Sequence, residues 1–244
     1  MEYNFVQKKR EEDALIVKIA SSGLISEDIL NDIRRYYNRL PYHNFLHVLK
    51  ICYYVTILPS SSFDLVEIKS LMYSALFHDC FHDWKPDITD EPISYIFWCM
   101  KIKEYQEKYD IWYIDFSIVR NAIIWTVFSN RWNFDNKYSI IMSDLDIWII
   151  WEWVYEYCYY WWLSLSSEFW INIDDWVQDY TFFKVNLNIS DKFFLSKEVQ
   201  DLLPNCYTSI YRFITMEKST KVKMYEILKN EDITFLEFKE KFKN

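Results

Sequence analysis

The four histidines of this 244-residue chain fall into two pairs, His43 with His47 and His78 with His82, each four residues apart. On a helix that spacing puts both rings on one face, which is a way to present two imidazoles to one centre. The second pair sits in Phe77-His78-Asp79-Cys80-Phe81-His82-Asp83, where a histidine is followed at once by an aspartate after an apolar run. Adjacent helical residues point about 100° apart. At a helix end, though, both side chains can converge on an ion beyond the last turn. Imidazole plus carboxylate is a mixed donor set that suits Mn, Fe, Co, Ni or Zn, and a bridging carboxylate can add a second ion, Mg or Mn. Further along, Ser143-Asp144-Leu145-Asp146 places two acids inside the apolar run 140–150. A carboxylate there is costly unless it meets a metal or hydrogen-bond donors.

The elements that must position these residues read as helices. Ser26 with Glu27 and Asp28 starts one, the acids favouring its first turn, with Ile29, Leu30, Ile33 and Tyr37 as the apolar stripe. Pro41 breaks it. A second runs over 44–58 and ends at Pro59. A third starts near Asp64, turns Leu65, Ile68, Leu71, Met72, Ala75 and Leu76 inward, and runs into His78 and Asp79. Residues 80–92 read as an acidic loop with Asp83, Asp87, Asp90 and Glu91, punctuated by Pro86 and Pro92. Helical patterns resume over 92–108, 115–128 and 138–163, the last broken in two, and again over 195–203, 206–214, 217–229 and 234–242. Residues 1–24 read as a charged helical arm, and 166–195 as a loop-rich insertion. The expectation is one all-α domain over 1–244, a helical bundle with a metal site between helices.

Composition narrows the chemistry. Gly23 is the only glycine, so a phosphate-binding P-loop and a dinucleotide fingerprint are both excluded. Any phosphate chemistry must rest on metal and side chains. The formal net charge of −9 argues against duplex nucleic acid, whose binders show a basic face, but not against a small nucleotide, because a bound metal supplies local positive charge. Cys52, Cys80, Cys99, Cys158 and Cys206 form no Cys-x-x-Cys pair and read as reduced thiols of a cytoplasmic protein. The first ten residues are polar and charged and do not read as a signal peptide. The aromatic segment 147–165 carries Glu152 and Glu156, which are expensive in lipid, so it reads as a buried helix and not as a membrane span.

Tyr42-His43-Asn44-Phe45-Leu46-His47-Val48 followed by Ala75-Leu76-Phe77-His78-Asp79 resembles the HD-domain superfamily of metal-dependent phosphohydrolases. Within it the chain looks most like a bacterial branch of predicted HD phosphohydrolases. It is also similar to the catalytic core of cyclic-nucleotide phosphodiesterases, which share the Tyr-His-Asn-x-x-His pattern and a histidine at the position of His82. The likeness spans about 36–165, with a weaker echo at Glu217, Lys221 and Met224. It implies that His47, His78, Asp79 and a later aspartate followed by leucine bind metal; Asp144-Leu145 matches that pattern, and Asp146 is the alternative. It implies further that Glu91 engages water at the metal. Two features depart from the branch: the nearest basic residue before Tyr42, Arg39, is out of register, and Thr126 is not followed by the histidine often found there.

From these residues the expected activity is hydrolysis of a phosphoester in a nucleotide or cyclic signalling nucleotide by a metal-activated water. His43 would protonate the leaving oxygen, and His82 would hold the water or orient a ligand. Tyr42, Asn44, Glu91 and Thr126 would lie around the substrate, with Phe81, Trp84 or Trp125 placed to clamp a base. Two other expectations compete. A non-hydrolytic nucleotide-binding or sensing module would keep the fold without turnover. A structural zinc site in a helical interaction protein would normally use paired cysteines, which are missing.

Overall fold

The computed structural model describes residues 2–37, 40–82, 90–124, 126, 136–168, 194–231 and 233–242. All regular structure among them is helical, as expected. The Trp84 and Trp125 clamps, Arg39 and most of the 166–195 insertion lie outside the described residues.

Helix α1 (Glu2–Ala20) is charged along most of its length but turns Ile16 and Ile19 into the core, so the arm packs on the body, along α3. It ends at Gly23, whose φ of 73° is open to a residue without a Cβ. Ser26 caps α2 (Glu27–Ile33) by accepting from the Ile29 amide. Arg34, just past α2, pairs with Glu12 and Asp13 of α1 and fixes the corner.

Three helices frame the centre. In α3 (Phe45–Thr56) nearly every side chain from Phe45 to Cys52 is buried, the mark of a helix surrounded on all sides. The Asn44 side chain caps it by accepting from the Leu46 and His47 amides. Helix α4 (Leu65–Phe77) opens with a reciprocal capping box between Asp64 and Glu67. Its last two turns, Ser70 to Phe77, are wholly buried. The α4 C-terminus is held by Tyr37, whose hydroxyl donates to the Leu76 carbonyl at 2.6 Å and accepts from the Cys80 thiol. Helices α5 (Asp90–Tyr109) and α6 (Phe116–Ile124) flank α4. Helix α7 (Lys137–Trp148) is capped by Asn136 and lies against α3, α4 and α6. Glu67 ties the starts of α4 and α7, binding Lys137 at 2.5 Å and accepting from the Tyr138 hydroxyl at 2.7 Å.

The helix expected over 138–163 is interrupted more than once. After α7 come a 3-10 turn (Ile149–Trp151), a short α8 (Val154–Glu156), a π-helical turn (Tyr157–Trp162) and α9 (Leu163–Glu168). The bulky run Tyr157 to Trp162 is almost entirely buried. The wider π turn spreads its rings, so that Trp161 faces Tyr42 and His47 while Trp162 faces Phe213 and Tyr225.

The remaining helices, α10 (Lys197–Leu202), α11 (Cys206–Thr215), α12 (Lys218–Asn230) and α13 (Phe235–Lys241), cover this segment. Lys221 and Met224 are core residues of α12; the Lys221 ammonium sits 4.8 Å from the Phe213 ring centre. All five cysteines are free thiols. No helix of the described residues is long and apolar enough to cross a membrane.

Candidate metal centre

The centre forms where α3, α4 and α7 meet. His47 lies in the first turn of α3 with its side chain fully buried. His78 is the C-cap of α4 and Asp79 follows it, so the two leave the helix end together and converge. His78 Nδ1 bonds the Ala75 carbonyl at 2.9 Å. That bond fixes the tautomer and turns Nε2 toward the centre. His78 Nε2 lies 2.9 Å from Asp79 Oδ2 and 3.4 Å from Asp146 Oδ1. His47 Nε2 lies 3.0 Å from Asp146 Oδ1 and 3.8 Å from Asp79 Oδ2. One donor atom from each of the four falls within 4.8 Å of the others, so the cluster could hold a metal ion.

The fourth member of the cluster is therefore Asp146; Asp144, expected there from the Asp-Leu pattern, is not brought into it. Two residues along a helix swing a side chain about 200° around the axis, so the two acids of α7 face opposite ways. Asp144 is fully buried on the far side. It accepts from the Leu195 amide at 3.0 Å and the Ser196 amide at 2.7 Å, holding the entry to α10.

Electrostatics follow from burying two carboxylates between imidazoles. Burial pushes the Asp79 carboxyl up, but His78, His43 and His82 outweigh it and hold it below the usual carboxylate range. Asp146 is likewise held low against burial by its bonds to His47 and His78. Burial disfavours a charged His78, yet Asp79 and Asp146 raise its pKa well above the ordinary imidazole value.

The second pair lies on the open side of Asp79. His43 comes just before the Asn44 cap and His82 lies beyond the end of α4. Neither pair sits on one helical face; each spans a helix end. The two outer rings are 3.8 Å apart at their centres. Glu168, at the end of α9, organises them. Its Oε1 binds His43 Nδ1 and lies 3.8 Å from His82 Nε2. Its Oε2 accepts the Tyr42 amide at 2.7 Å and the His43 amide at 3.1 Å. Despite burial, the bond from His43 and these amides keep Glu168 below the usual carboxylate range. His43 is raised: burial opposes its charge, but Asp79 and Glu168 prevail. His82 binds Asp90 at 3.1 Å and is lowered by burial and by His43. Nothing in the sequence pattern singled out Glu168. Its one signal was a carboxylate closing a long apolar, aromatic run, where it must find donors.

The other expected residues divide. Tyr42 packs its ring 4.9 Å from that of His47. Glu91 is pushed up to about 7 by burial, with Asp79, Asp90 and Asp146 adding to the effect, so it faces the same concentration of negative charge. Asn44 serves as the α3 cap, and its amide donates to the Pro41 carbonyl. Thr126 is buried and bonds the Ile123 carbonyl; it is not brought into the cluster. A small cavity of about 90 Å³, lined by Tyr36, Tyr37, Leu40, His43, Asp79 and Phe81 among others, opens beside the outer histidines. Compared with models of known protein families and with curated proteins, the chain matches none of either.

Proposed function

We propose that the chain is a metal-dependent phosphoester hydrolase of the HD type acting on a nucleotide or cyclic nucleotide. The observation that carries this reading is the His47–His78–Asp79–Asp146 cluster, its imidazoles buried and its acids partly so, set directly beside a carboxylate-backed histidine. The donor set fits a divalent transition ion. It has two imidazoles and two carboxylates, and His78 Nε2 and Asp79 Oδ2 meet at 2.9 Å without a well-formed hydrogen bond. Two largely desolvated acids crowded on the same imidazoles are costly in a bare protein and are what a cation would satisfy. A structural zinc site would be expected to be closed and rich in cysteine; this one has no cysteine and an open flank.

An ion held there would supply Lewis-acid charge to a phosphoryl oxygen and acidify a water molecule. The rest of the work falls to side chains. Glu168 binds His43 at Nδ1 and so directs Nε2 as the atom that carries a proton toward a leaving oxygen. The raised pKa of His43 keeps that proton in place near neutrality. Glu168 is itself fixed by the Tyr42 and His43 amides, so the imidazole is oriented before substrate arrives. Tyr36 and Phe81 line the cavity and are the aromatic side chains a base would meet there.

The test is turnover of a panel of cyclic nucleotides and nucleoside mono- and triphosphates with Mn, Co or Mg added. Hydrolysis of one class, abolished in Asp79→Ala, supports the reading. Full activity in that variant sinks it, and binding without hydrolysis under every metal would assign a sensing module instead.

A further inference from the structure

We propose that a cavity between α1, the start of α3 and the π turn binds a small aromatic carboxylate, and that its occupant braces the contact of Glu168 with His43. The binding half stands apart from the hydrolase reading above; only its effect on turnover rests on that reading.

The cavity has a volume of about 190 Å³, against about 90 Å³ beside the outer histidines. A single water needs only roughly 10–15 Å³, so there is room for a one-ring compound. Its apolar part is deep: Leu46, Tyr159 and Trp161 line it and are buried. Lys8, Tyr160 and Leu163 form its partly exposed wall. A planar ring therefore goes inward and a charged group stays at Lys8.

Charge selects an anion. Lys8 has no carboxylate within ion-pair distance among the described residues. The acids that follow it on α1 are engaged elsewhere, Glu12 by Arg34 at 2.5 Å and Glu11 by Lys50 at 3.5 Å. Burial pushes the Lys8 pKa down against the pull of Glu12, as for a cation short of a counterion. An aromatic cage commonly takes a cationic guest. Here the Lys50 ammonium already lies 5.1 Å from the Tyr160 ring centre and 5.3 Å from a Trp161 ring centre, so a second cation is disfavoured. The wall also holds a spare donor: Trp161 Nε1 is buried with no acceptor among the described residues.

The same walls carry the outer half of the candidate centre. Asn44 lines the cavity, accepts from the His47 amide and directly follows His43. Leu163 and Ser164 line it too, and they open α9, which ends at Glu168. The Trp161 ring stands between, 5.7 Å from that of Tyr42 and 6.0 Å from that of His47. An occupant touching both walls fixes the spacing of α9 from the entry to α3, and with it the seat of Glu168 on His43.

The experiment is titration of the metal-free full chain with benzoate, read by calorimetry and tryptophan fluorescence. The His43 ring resonances are followed by nuclear magnetic resonance. Benzamide and benzylamine serve as neutral and cationic matches, and inorganic phosphate as an anion without a ring. One equivalent of benzoate is expected, bound about tenfold or more tightly than the other three, the scale of one hydrogen bond to a charged group. Lys8→Met keeps the stem of the side chain and should weaken benzoate by a similar factor. Ser164→Phe should fill the cavity and abolish binding, with circular dichroism checking that both variants fold. The His43 resonances should move with benzoate in the wild type and stay in place in Lys8→Met. Turnover of the metal-loaded chain should rise about fivefold at saturation, the lower end of coupling between sites. Absence of saturable benzoate binding overturns the proposal. So does binding that Lys8→Met leaves unchanged, or benzamide that binds equally well. Binding with unmoved His43 resonances overturns the brace and keeps the site. Binding with moved His43 resonances, but no turnover of any substrate, leaves both halves standing and removes the hydrolase reading.

Discussion

The inner cluster and the outer histidine pair share Asp79 yet are built by different means. His47, His78 and Asp146 sit on or at the ends of α3, α4 and α7, three helices capped at their starts and packed on one another. Their donor atoms are held as firmly as the helices. His43 and His82 lie just outside helix ends and depend on carboxylates from elsewhere, Glu168 and Asp90. The inner imidazoles are closed to solvent, and solvent reaches that half only along Asp79 and Asp146. The outer imidazoles are themselves partly open and held by charge. Helical packing fixes what must not move, and ion pairs between distant segments fix what must meet a ligand.

Substitutions can break this contrast. The largest effect is expected for Asp79→Ala, which serves both halves: metal content and turnover should both vanish, and a variant that retains bound metal would show that Asp79 belongs to the outer half alone. His43→Ala should keep the inner metal and lose roughly 10²–10⁴-fold in kcat, the range of general acid catalysis; loss of metal instead would move His43 to the inner half. Glu168→Gln should cost about 10–100-fold, as for partners that orient a functional histidine. Its mark should be a lowered kcat at unchanged metal content, partly restored by Glu168→Asp. Asp144→Ala should leave metal stoichiometry intact and cost about 3 kcal/mol in denaturant unfolding, because it strips a charged acceptor from two backbone amides. The smallest effect concerns Glu67. Burial pushes its pKa up, but the bonds from Lys137 and Tyr138 lower it to about 2. A folded pKa below the unfolded value contributes stability above about pH 4.5, and that contribution fades as pH falls toward 2. With Lys137 half exposed it amounts to about 1 kcal/mol at most. Unfolding curves of Glu67→Gln should be flatter across that window than those of the wild type.

The helices and three of the inner donors were readable because residue type and spacing both carried the message. Asn44, Ser26 and Asp64 announce helix starts by their side-chain chemistry, and His78-Asp79 closes an apolar run. Asp146 was harder. Both acids of Ser143-Asp144-Leu145-Asp146 are buried or partly buried on one apolar helix, and only knowing which face of α7 meets α3 and α4 separates them. The Asp-Leu pattern pointed to Asp144, which the fold keeps outside the cluster and whose burial the Leu195 and Ser196 amides explain. Glu168 was silent because its partners are about 125 residues away in sequence, and no local pattern encodes a contact of that range. Thr126 drew notice by type, but its hydroxyl is satisfied within its own turn.

The π turn from Tyr157 to Trp162 sets the phase of everything that follows it. Winding the same residues as an ordinary α-helix, at about 100° per residue, would turn α9 further around its axis relative to α8 than the wider turn does. The composition, the apolar content and the number of buried rings would barely change. Yet Glu168 would point away from Tyr42 and His43, and the outer histidines would lose their anchor. The chain thus keeps its site partly by how this segment winds: a change that favours ordinary α winding there should unseat Glu168 even where every ring stays large and apolar.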